Sequence, residues 1–445
     1  MWKLLYNIGL LIATPVVIGV LWAKPRCRPG FSQRMGWRLP AAENAQTARP
    51  VIWVHAVSLG EVVAVAPLVK TLHQRHPEFR YLVSTVTETG REAVEQRLGS
   101  MVEHCYAPLD FPWAVARMVG RVKPALYLFV ETELWPNLLW TLREHGVPSV
   151  LVNGRLSSRS FGRQNIFGIR SFWRSVLATL ALCLMQSDRD RQRIVRLGAD
   201  PERVQVTGNI KFDQPLPSVQ PDESQRRSLG LNEQEQLILA GSTHAGEEEL
   251  LVSAYETIAK SFPLTVLMLA PRHIERADQV ERMLHAAGFV VQRKSRLQES
   301  LTGPRVIILD TRGELSRAYR EAVVAYVGGT LVPVGGHNLL EPAVWGTPVM
   351  FGPYTDHCAE IATLLSESGG GRRVMGVEDL VVSIEEWIRQ PDRRNQDGQV
   401  AKRVVCDNQG ALMRSVEQIE RCLRTAHLYP NHSVAKEAGP LVVKP

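Results

Sequence analysis

The sequence lacks the short motifs that mark common metal, redox and nucleotide sites. Its six cysteines form no C-x-x-C pair, and its twelve histidines show no H-E-x-x-H spacing, so neither a zinc ribbon, a thioredoxin-type site nor a zincin is indicated. Neither G-x-x-x-x-G-K-[ST] nor G-x-G-x-x-G occurs, so a Walker A loop and a dinucleotide fingerprint are missing. Basic–aromatic interleaving is also missing, and we expect no nucleic-acid partner.

What the chain does have is length, apolar residues and positive charge. Its 445 residues are 45% hydrophobic, which is typical of a folded protein with two domains of about 150–200 residues each. The formal net charge of +7 favours acidic partners such as anionic lipid surfaces or phosphorylated ligands. Cysteines scattered through a chain of this length indicate a reducing compartment.

The N-terminus carries an uncharged apolar run over residues 4–22, about the length that spans a bilayer core. Five basic residues follow it before the first acid: Lys24, Arg26, Arg28, Arg34 and Arg38. This pattern predicts a membrane anchor over residues 1–24 and a basic juxtamembrane segment over 25–50 that faces anionic lipid headgroups, with the rest of the chain on the cytoplasmic side. Asn7 and Pro15 weaken the span, so an interfacial helix that does not cross remains the alternative.

Apolar strand-like segments alternate with amphipathic helical ones through most of the chain, which predicts parallel sheets covered by helices on both faces. Predicted strands lie near residues 51–57, 80–86, 104–108, 125–131, 148–153, 182–186 and 204–208, and then near 237–241, 264–270, 289–293, 306–310, 323–328 and 347–351. A proline-rich polar stretch separates the two series. We therefore expect domains over 51–210 and 231–400, a linker over 211–230, a C-terminal helix over 401–426 and a loose tail over 427–445.

Polar residues follow three strands of the first domain, where parallel sheets bind their ligands. Glu61, in Ser-Leu-Gly-Glu, is either a first-turn charge favoured by the helix dipole or a catalytic carboxylate. Glu131 and Glu133 follow an apolar strand; both could face a ligand, or one could cap the next helix. Lys211, in GNIKFD, could bind an anion or form an ion pair with Asp213 or Glu131.

Strand ends of the second domain carry small and basic residues. The stretch GSTHAGEEE at 241–249 predicts an anion-binding turn, and Arg272 in APRH can bind phosphate or carboxylate. DTRGEL and VGGTLVPVGGHNLLEPA follow at 310–315 and 327–343. In the last segment Asn338 is typical of a helix N-cap, with Glu341 as a ribose contact or only a capping-box partner.

Taken together and in this order, HAVSLGE, FVETELWPN, GNIKFD and the second-domain segments resemble the 3-deoxy-D-manno-octulosonic acid (Kdo) transferases of lipopolysaccharide assembly. The resemblance runs from the N-terminal anchor to about residue 425. It implies an α/β protein of the GT-B fold, in which two Rossmann-like, doubly wound domains face a central cleft, the acceptor domain first and the donor domain second. It also implies inverting transfer of Kdo from CMP-Kdo to the lipid A precursor (lipid IVA), without metal or cofactor, at the cytoplasmic face of the bacterial inner membrane.

The resemblance implies roles for individual residues. Glu61 matches the general base, while Glu131 and Lys211 match the positions that support the transition state. The implied CMP-binding residues are Pro271, Arg272, Arg312, Gly313, Glu314, Asn338, Leu339, Leu340 and Glu341, and further candidate contacts to the donor or its phosphate are Ser242, Thr243, His244 and Gly336. Arg312 departs from the pattern, which has an apolar residue there.

Two other classes of protein share part of the pattern. One is a GT-B enzyme that uses a UDP-sugar, including the UDP-N-acetylglucosamine 2-epimerases, against which the predicted anchor counts. The other is a membrane-anchored nucleotide-binding protein without catalytic activity, which would bind its ligand without turnover.

Overall fold

The computed structural model describes residues 1–23, 29–40, 49–166, 168–213, 223–297 and 301–425. The chain divides into two compact units. Unit 1 contains residues 1–213 and 409–445, and unit 2 contains residues 214–408. The second unit is thus inserted into the first, because the chain returns to unit 1 for its last segment.

Unit 1 is built on a seven-stranded parallel sheet with the strand order β3-β2-β1-β4-β5-β6-β7. All seven predicted strands are present: β1 (Val51–His55), β2 (Arg80–Thr85), β3 (Glu103–Tyr106), β4 (Pro124–Val130), β5 (Ser149–Gly154), β6 (Leu182–Met185) and β7 (Val204–Val206). Every residue of β1 is buried, because helices cover both faces of the sheet.

The helices of unit 1 lie between these strands and at the two ends of its sequence. They are α1 (Trp2–Ala23), α2 (Phe31–Arg34), α3 (Leu59–Arg75), α4 (Glu88–Leu98), α5 (Pro112–Val122), α6 (Pro136–Glu144), α7 (Ser158–Gln164), α8 (Ile169–Leu177) and α9 (Asp188–Leu197), with α18 (Ala411–Thr425) after unit 2.

Unit 2 repeats the architecture with the parallel strand order β10-β11-β9-β8-β12-β13-β14. Its strands are β8 (Gln236–Thr243), β9 (Thr265–Pro271), β10 (Val291–Arg293), β11 (Arg305–Ile308), β12 (Ala322–Val327), β13 (Val349–Phe351) and β14 (Gly371–Arg373). Its helices are α10 (Glu223–Ser228), α11 (Glu247–Ser261), α12 (Ala277–Ala286), α13 (Leu315–Ala318), α14 (Leu340–Ala343), α15 (Ala359–Ser368), α16 (Val377–Arg389) and α17 (Pro391–Asp407). The two doubly wound domains predicted from the sequence are confirmed.

Two predicted boundaries differ from the structure. The single helix predicted over 401–426 is two helices, because the chain turns at Gly410, where φ is +91°, and α17 belongs to unit 2 while α18 packs on unit 1. The predicted linker over 211–230 is ordered at both ends: a 3₁₀ turn ends at Phe212, and α10 leads to the buried Leu229. The central part of that linker and the predicted tail after 426 lie outside the described residues.

The predicted anchor forms α1, which packs one side on unit 1. Tyr6 donates a hydrogen bond to Asp110 at 2.9 Å, and Asn137 donates to Asn7 at 2.6 Å. The other side exposes six apolar residues: Leu4, Leu5, Ile8, Leu11, Ile12 and Val16. No helix in the described ranges is both long enough and apolar enough to cross a membrane.

Arg34 departs from its predicted place in a basic surface segment. Its side chain is 1% exposed, and its guanidinium donates to the carbonyl oxygens of Pro29 (3.2 Å) and Val86 (2.5 Å). It also lies 4.9 Å from the ring centroid of Tyr106. Arg34 therefore fastens the segment after α1 to the sheet and is not available to lipid headgroups.

Candidate active site

The strand order of unit 1 reverses between β1 and β4, which are hydrogen-bonded neighbours. In an open parallel sheet the crevice at such a switch point, outside the carboxyl ends of the strands, is the usual ligand site. Glu61 follows β1 in the first turn of α3, and Glu131 immediately follows β4. The fold thus places both predicted glutamates at the switch point.

Glu61 is held in one orientation by the turn that precedes α3. Its carboxylate accepts a hydrogen bond from the backbone N–H of Val57 at 2.8 Å and another from the hydroxyl of Ser58 at 3.1 Å. The side chain reaches back from the first helical turn to Val57, one residue before the N-cap Ser58. The helix-start explanation of Glu61 is therefore correct as far as local structure goes.

The pKa of Glu61 is not explained by its position at the start of a helix. Its pKa is raised from 4.5 to about 7: burial is the largest cause, the charges of Glu133 and Glu131 act in the same direction, and the hydrogen bond from Val57 opposes the rise. A carboxylate whose pKa lies near neutral pH is suited to accept a proton in a general-base step, because it is substantially ionised and still basic.

Glu131 and Lys211 form an ion pair beside Glu61. The Nζ of Lys211 lies 3.0 Å from Oε1 of Glu131, and both side chains are partly exposed. Asn209 and Asn153 fix the 3₁₀ turn of Lys211 by accepting hydrogen bonds from the N–H groups of residues 211 and 210, each at 3.0 Å. Glu131 itself has a φ of +57°, an uncommon backbone conformation for a non-glycine residue that often marks a functional site.

The structure also settles what the neighbouring acids do. Neither Glu131 nor Glu133 caps α6, because Asp110 accepts hydrogen bonds from the N–H groups of Asn137 (3.0 Å) and Leu138 (2.9 Å). Asp213 does not pair with Lys211; it accepts from the backbone of residues 410 and 412.

Three residues that were not predicted as site residues lie around these carboxylates. Glu133 accepts a 2.9 Å hydrogen bond from the indole of Trp135, and burial raises the pKa of Glu133. His55, fully buried at the end of β1, meets Trp135 edge to face at 5.2 Å between ring centroids. Burial lowers the pKa of His55 to about 4, so this imidazole is neutral at physiological pH. The position of His55 near the end of a predicted strand is the sequence feature that could have identified it as a site residue.

Unit 2 has its own switch point between β8 and β12. A pocket of about 330 Å³ lies beside it, lined by residues at the carboxyl ends of β9 and β11 and by Ser242 of β8. Five predicted donor-site residues line this pocket: Ser242, Pro271, Arg272, Arg312 and Gly313. Ser242 has a φ of +56°, a second strained non-glycine residue at a strand end. Arg312 is 82% exposed and lies 3.7 Å from Glu275, so its departure from the family pattern falls on the open rim.

Buried glutamate side chains hold the turn after β8 in place through hydrogen bonds. Glu247 accepts hydrogen bonds from the N–H groups of His244 (3.0 Å), Gly329 (2.7 Å) and Thr330 (3.0 Å), which ties the ends of β8 and β12 together. Thr243 is fully buried and donates to Glu248 at 2.9 Å. The predicted turn therefore exists, but several of its N–H groups already have protein partners and the hydroxyl of Thr243 is not directed at a ligand.

The remaining predicted donor residues do not line the pocket. Glu314 accepts a hydrogen bond from Thr311 and lies 3.5 Å from Lys294. Asn338 accepts from the N–H of Leu340 (3.2 Å) and donates to Glu341 (3.3 Å), but the N-cap of the four-residue α14 is Leu339, one position after the predicted cap. The side chains of Leu339 and Leu340 are fully buried, and any contact they make with a ligand must come from their backbone. Gly336, at φ +85°, packs against Cys358, where a Cβ atom would lie 2.8 Å from the thiol sulfur.

Within the described ranges, no group of three or more His, Cys, Asp and Glu side chains is placed to hold a metal ion.

Comparison with known proteins gives the family. A family model described as 3-Deoxy-D-manno-octulosonic-acid transferase (kdotransferase) matches residues 30–214. The 3-deoxy-D-manno-octulosonic acid transferase of Haemophilus influenzae is 34% identical over 429 residues, which cover 94% of this chain and 98% of that protein. The transferase of Bordetella pertussis is 32% identical, with 93% of this chain and 98% of that protein covered.

Among solved structures, UDP-GlcNAc 2-epimerase from Neisseria meningitidis, bound to UDP-GlcNAc, matches with a TM-score of 0.57 at 13% identity and covers 84% of this chain and 100% of its own. At that identity the likeness concerns the fold alone. The relatives from Haemophilus and Bordetella match almost end to end, and they confirm the resemblance found in the sequence motifs. The chain therefore belongs to the 3-deoxy-D-manno-octulosonic acid (Kdo) transferase family and is a glycosyltransferase.

Proposed function

We propose that the protein transfers Kdo from CMP-Kdo to a hydroxyl group of the lipid A precursor, lipid IVA, with inversion at the transferred carbon. The observation that carries the proposal is Glu61, a carboxylate at the switch point of unit 1 whose pKa is raised to about 7 by burial. In a Kdo transferase such a group accepts the proton of the attacking hydroxyl. The Glu131–Lys211 pair beside it supplies fixed charges that support the transition state.

Unit 2 supplies the donor site in this proposal. Arg272 and Arg312 at the pocket bring positive charge to the phosphate of CMP, and Pro271 and Gly313 shape the pocket wall. Departing CMP carries a single phosphate, which an arginine and backbone N–H groups stabilise without magnesium. We therefore propose that no metal and no cofactor take part, and we expect activity to be unchanged by a chelator.

We also propose that the protein works on the cytoplasmic face of the bacterial inner membrane, attached through α1. The support is the two-sided character of this helix, which is hydrogen-bonded to unit 1 on one side and apolar and exposed on the other. A helix of that kind lies in the membrane interface, and basic residues near it add attraction to anionic headgroups. Retention of wild-type binding to anionic vesicles after Leu11→Ser and Ile12→Ser would contradict this attachment.

The deciding experiment incubates the protein with CMP-Kdo and a tetraacylated lipid A precursor and identifies the lipid product by mass. We expect a product heavier by one or more Kdo residues, in equal amount with and without a chelator. The Glu61→Gln variant is the matched control, because it preserves the size of the side chain. Competition by UDP as strong as that by CMP, without Kdo transfer, would instead favour a UDP-sugar enzyme.

A further inference from the structure

Four histidines and two arginines gather where β8 and β9 end in unit 2. His273 and Arg272 line the pocket, and the ring of His244 lies edge to face with that of His273 at 5.9 Å. His244 in turn faces His337, which comes from the glycine-rich segment after β12. His357 and Arg276 complete the set, since their charges act on His337 and His244 respectively.

The contact between His244 and His337 is a hydrogen bond between identical atoms. Their Nε2 atoms are 2.8 Å apart, their ring planes differ by 5°, and their centroids are 5.1 Å apart. Rings stacked face to face cannot bring two nitrogens so close. The rings therefore lie edge to edge in one plane, which gives a nearly straight N–H···N bond.

This geometry limits the number of protons that the two rings can hold. One Nε2 must carry the shared hydrogen and the other must accept it, so both rings cannot be imidazolium ions at once. In the neutral pair one Nδ1 is a donor and the other is an acceptor. In the singly protonated pair both Nδ1 atoms are donors. Uptake of one proton thus turns a mixed pair into a pair of donors with a positive charge, which is suited to an anion.

The surroundings disfavour a positive charge on the pair as long as no anion is bound. Burial, the largest cause, and the charges of His244, Arg272, His357 and His273 together lower the pKa of His337 to about 4. Burial also lowers the pKa of His244, and the charges of His273, Arg276 and Arg272 lower it in the same direction. The carboxylate of Glu247 acts in the opposite direction. Glu247 is already committed to backbone N–H groups, and Glu248 forms an ion pair with Arg276 at 2.9 Å. An anion placed among these cations would reverse the balance of charge.

We propose that the His244–His337 pair takes up one shared proton when the phosphate of a cytidine nucleotide enters the adjacent pocket. This inference rests on the proposed CMP-binding function of unit 2 and adds that CMP binding is coupled to the uptake of a proton. The pair then helps to hold the anionic group with its charge, and donor affinity rises as the pH falls through the neutral range.

Calorimetry of CMP binding in buffers of different ionisation enthalpy tests this proposal. We use CMP near pH 7.5, where a phosphate monoester with a second pKa of about 6 is already mostly a dianion, and cytidine as the uncharged probe. Wild-type protein is expected to take up a fraction of one proton per CMP, and never more than one, while cytidine causes no uptake. The double variant His244→Gln/His337→Gln is expected to lose the uptake and to bind CMP roughly 10–100-fold more weakly at pH 6.5. His285→Gln, an exposed histidine of α12, is the matched control and keeps both.

The possible results distinguish the role of the histidine pair from the donor site itself. CMP binding by the wild-type protein without proton uptake at pH 7.5 would overturn the role of the pair and leave the donor site intact. Uptake that survives in the double variant would overturn it too, because the proton would then reside elsewhere. Absence of CMP binding by the wild-type protein would overturn both the donor site and the pair. The wild-type titration needs no variant, so a double variant that fails to fold does not remove the test.

Discussion

Glu61→Gln should abolish catalysis and at the same time make the protein more stable at alkaline pH. Glutamine keeps the shape of the side chain, and its amide can accept from the N–H of Val57 and donate to the hydroxyl of Ser58. The variant therefore preserves the turn before α3 but cannot accept a proton. We expect kcat to fall about 10²–10⁴-fold, the usual contribution of a general base, with CMP affinity unchanged.

The stability change follows from the raised pKa of Glu61. Its pKa is 4.5 when solvated and about 7 in the folded protein, and this difference corresponds to about 3 kcal/mol of unfolding free energy. A folded-state pKa above the unfolded one means that the folded protein is most stable below pH 4.5 and loses that stability as pH rises through 7. With 9% of Glu61 exposed, solvent screening reduces the figure little. Glu61→Gln does not ionise and avoids this loss.

Two assays check these expectations. Urea unfolding of the wild type and the variant at pH 5 and pH 8 should give a stability difference that grows by about 2.5 kcal/mol in favour of Glu61→Gln at the higher pH. The acidic limb of the wild-type pH–rate profile should have an apparent pKa near 7. Glu92→Gln, an exposed glutamate of α4, is the control and should change neither measurement.

Two results would refute this reasoning separately. Turnover close to wild type in Glu61→Gln would remove the base role. A stability difference that is independent of pH would show that Glu61 is solvated, and the explanation of its pKa by burial would fail.

Three further outcomes follow from the same structure. Lys211→Met leaves the charge of Glu131 uncompensated near Glu61, so the acidic limb of the pH–rate profile should move to higher pH. The control Lys260→Met breaks an exposed ion pair with Glu256 and should not move this limb. Arg272→Ala should weaken CMP binding by roughly tenfold or more in a calorimetric titration, while Arg282→Ala, on the exposed side of α12, should leave it unchanged. Asp110→Ala removes the acceptor for two N–H groups of α6 and for Tyr6, and should lower the free energy of unfolding in urea by about 2 kcal/mol; an unchanged midpoint would contradict its capping role.

The strands were predictable from the sequence because both sheets are covered on both faces. A strand such as β1, with all five residues buried, must be apolar throughout, and such runs are visible without any structure. The edge strand β14 was not predicted. It contains two arginines in three residues, and only one of the three is buried, so its sequence is typical of a surface loop.

The positions of Glu61, Glu131 and Lys211 were predictable for a related reason, since each follows a strand or its last turn. The contacts that these residues make were less predictable. The Glu131–Lys211 pair joins residues 80 positions apart, and it was one of two partners considered for Lys211. The partner of Asp213 lies 197 residues away, and that of His244 lies 93 residues away. Local pattern carries no information on such pairings, which depend on how distant strands are ordered in a sheet.

The return of the chain to unit 1 has a consequence for biosynthesis. Val416, Ile419 and Leu423 of α18 are fully buried in the same core cluster as β1, and Asp213 binds the backbone at the start of this helix. During translation unit 2 is complete before α18 leaves the ribosome, whereas unit 1 lacks part of its core until α18 has been synthesised. The unit that is synthesised first is therefore the last to fold fully. A message truncated after residue 408 would yield a donor unit attached to an acceptor unit with an open apolar face, a natural substrate for proteolysis.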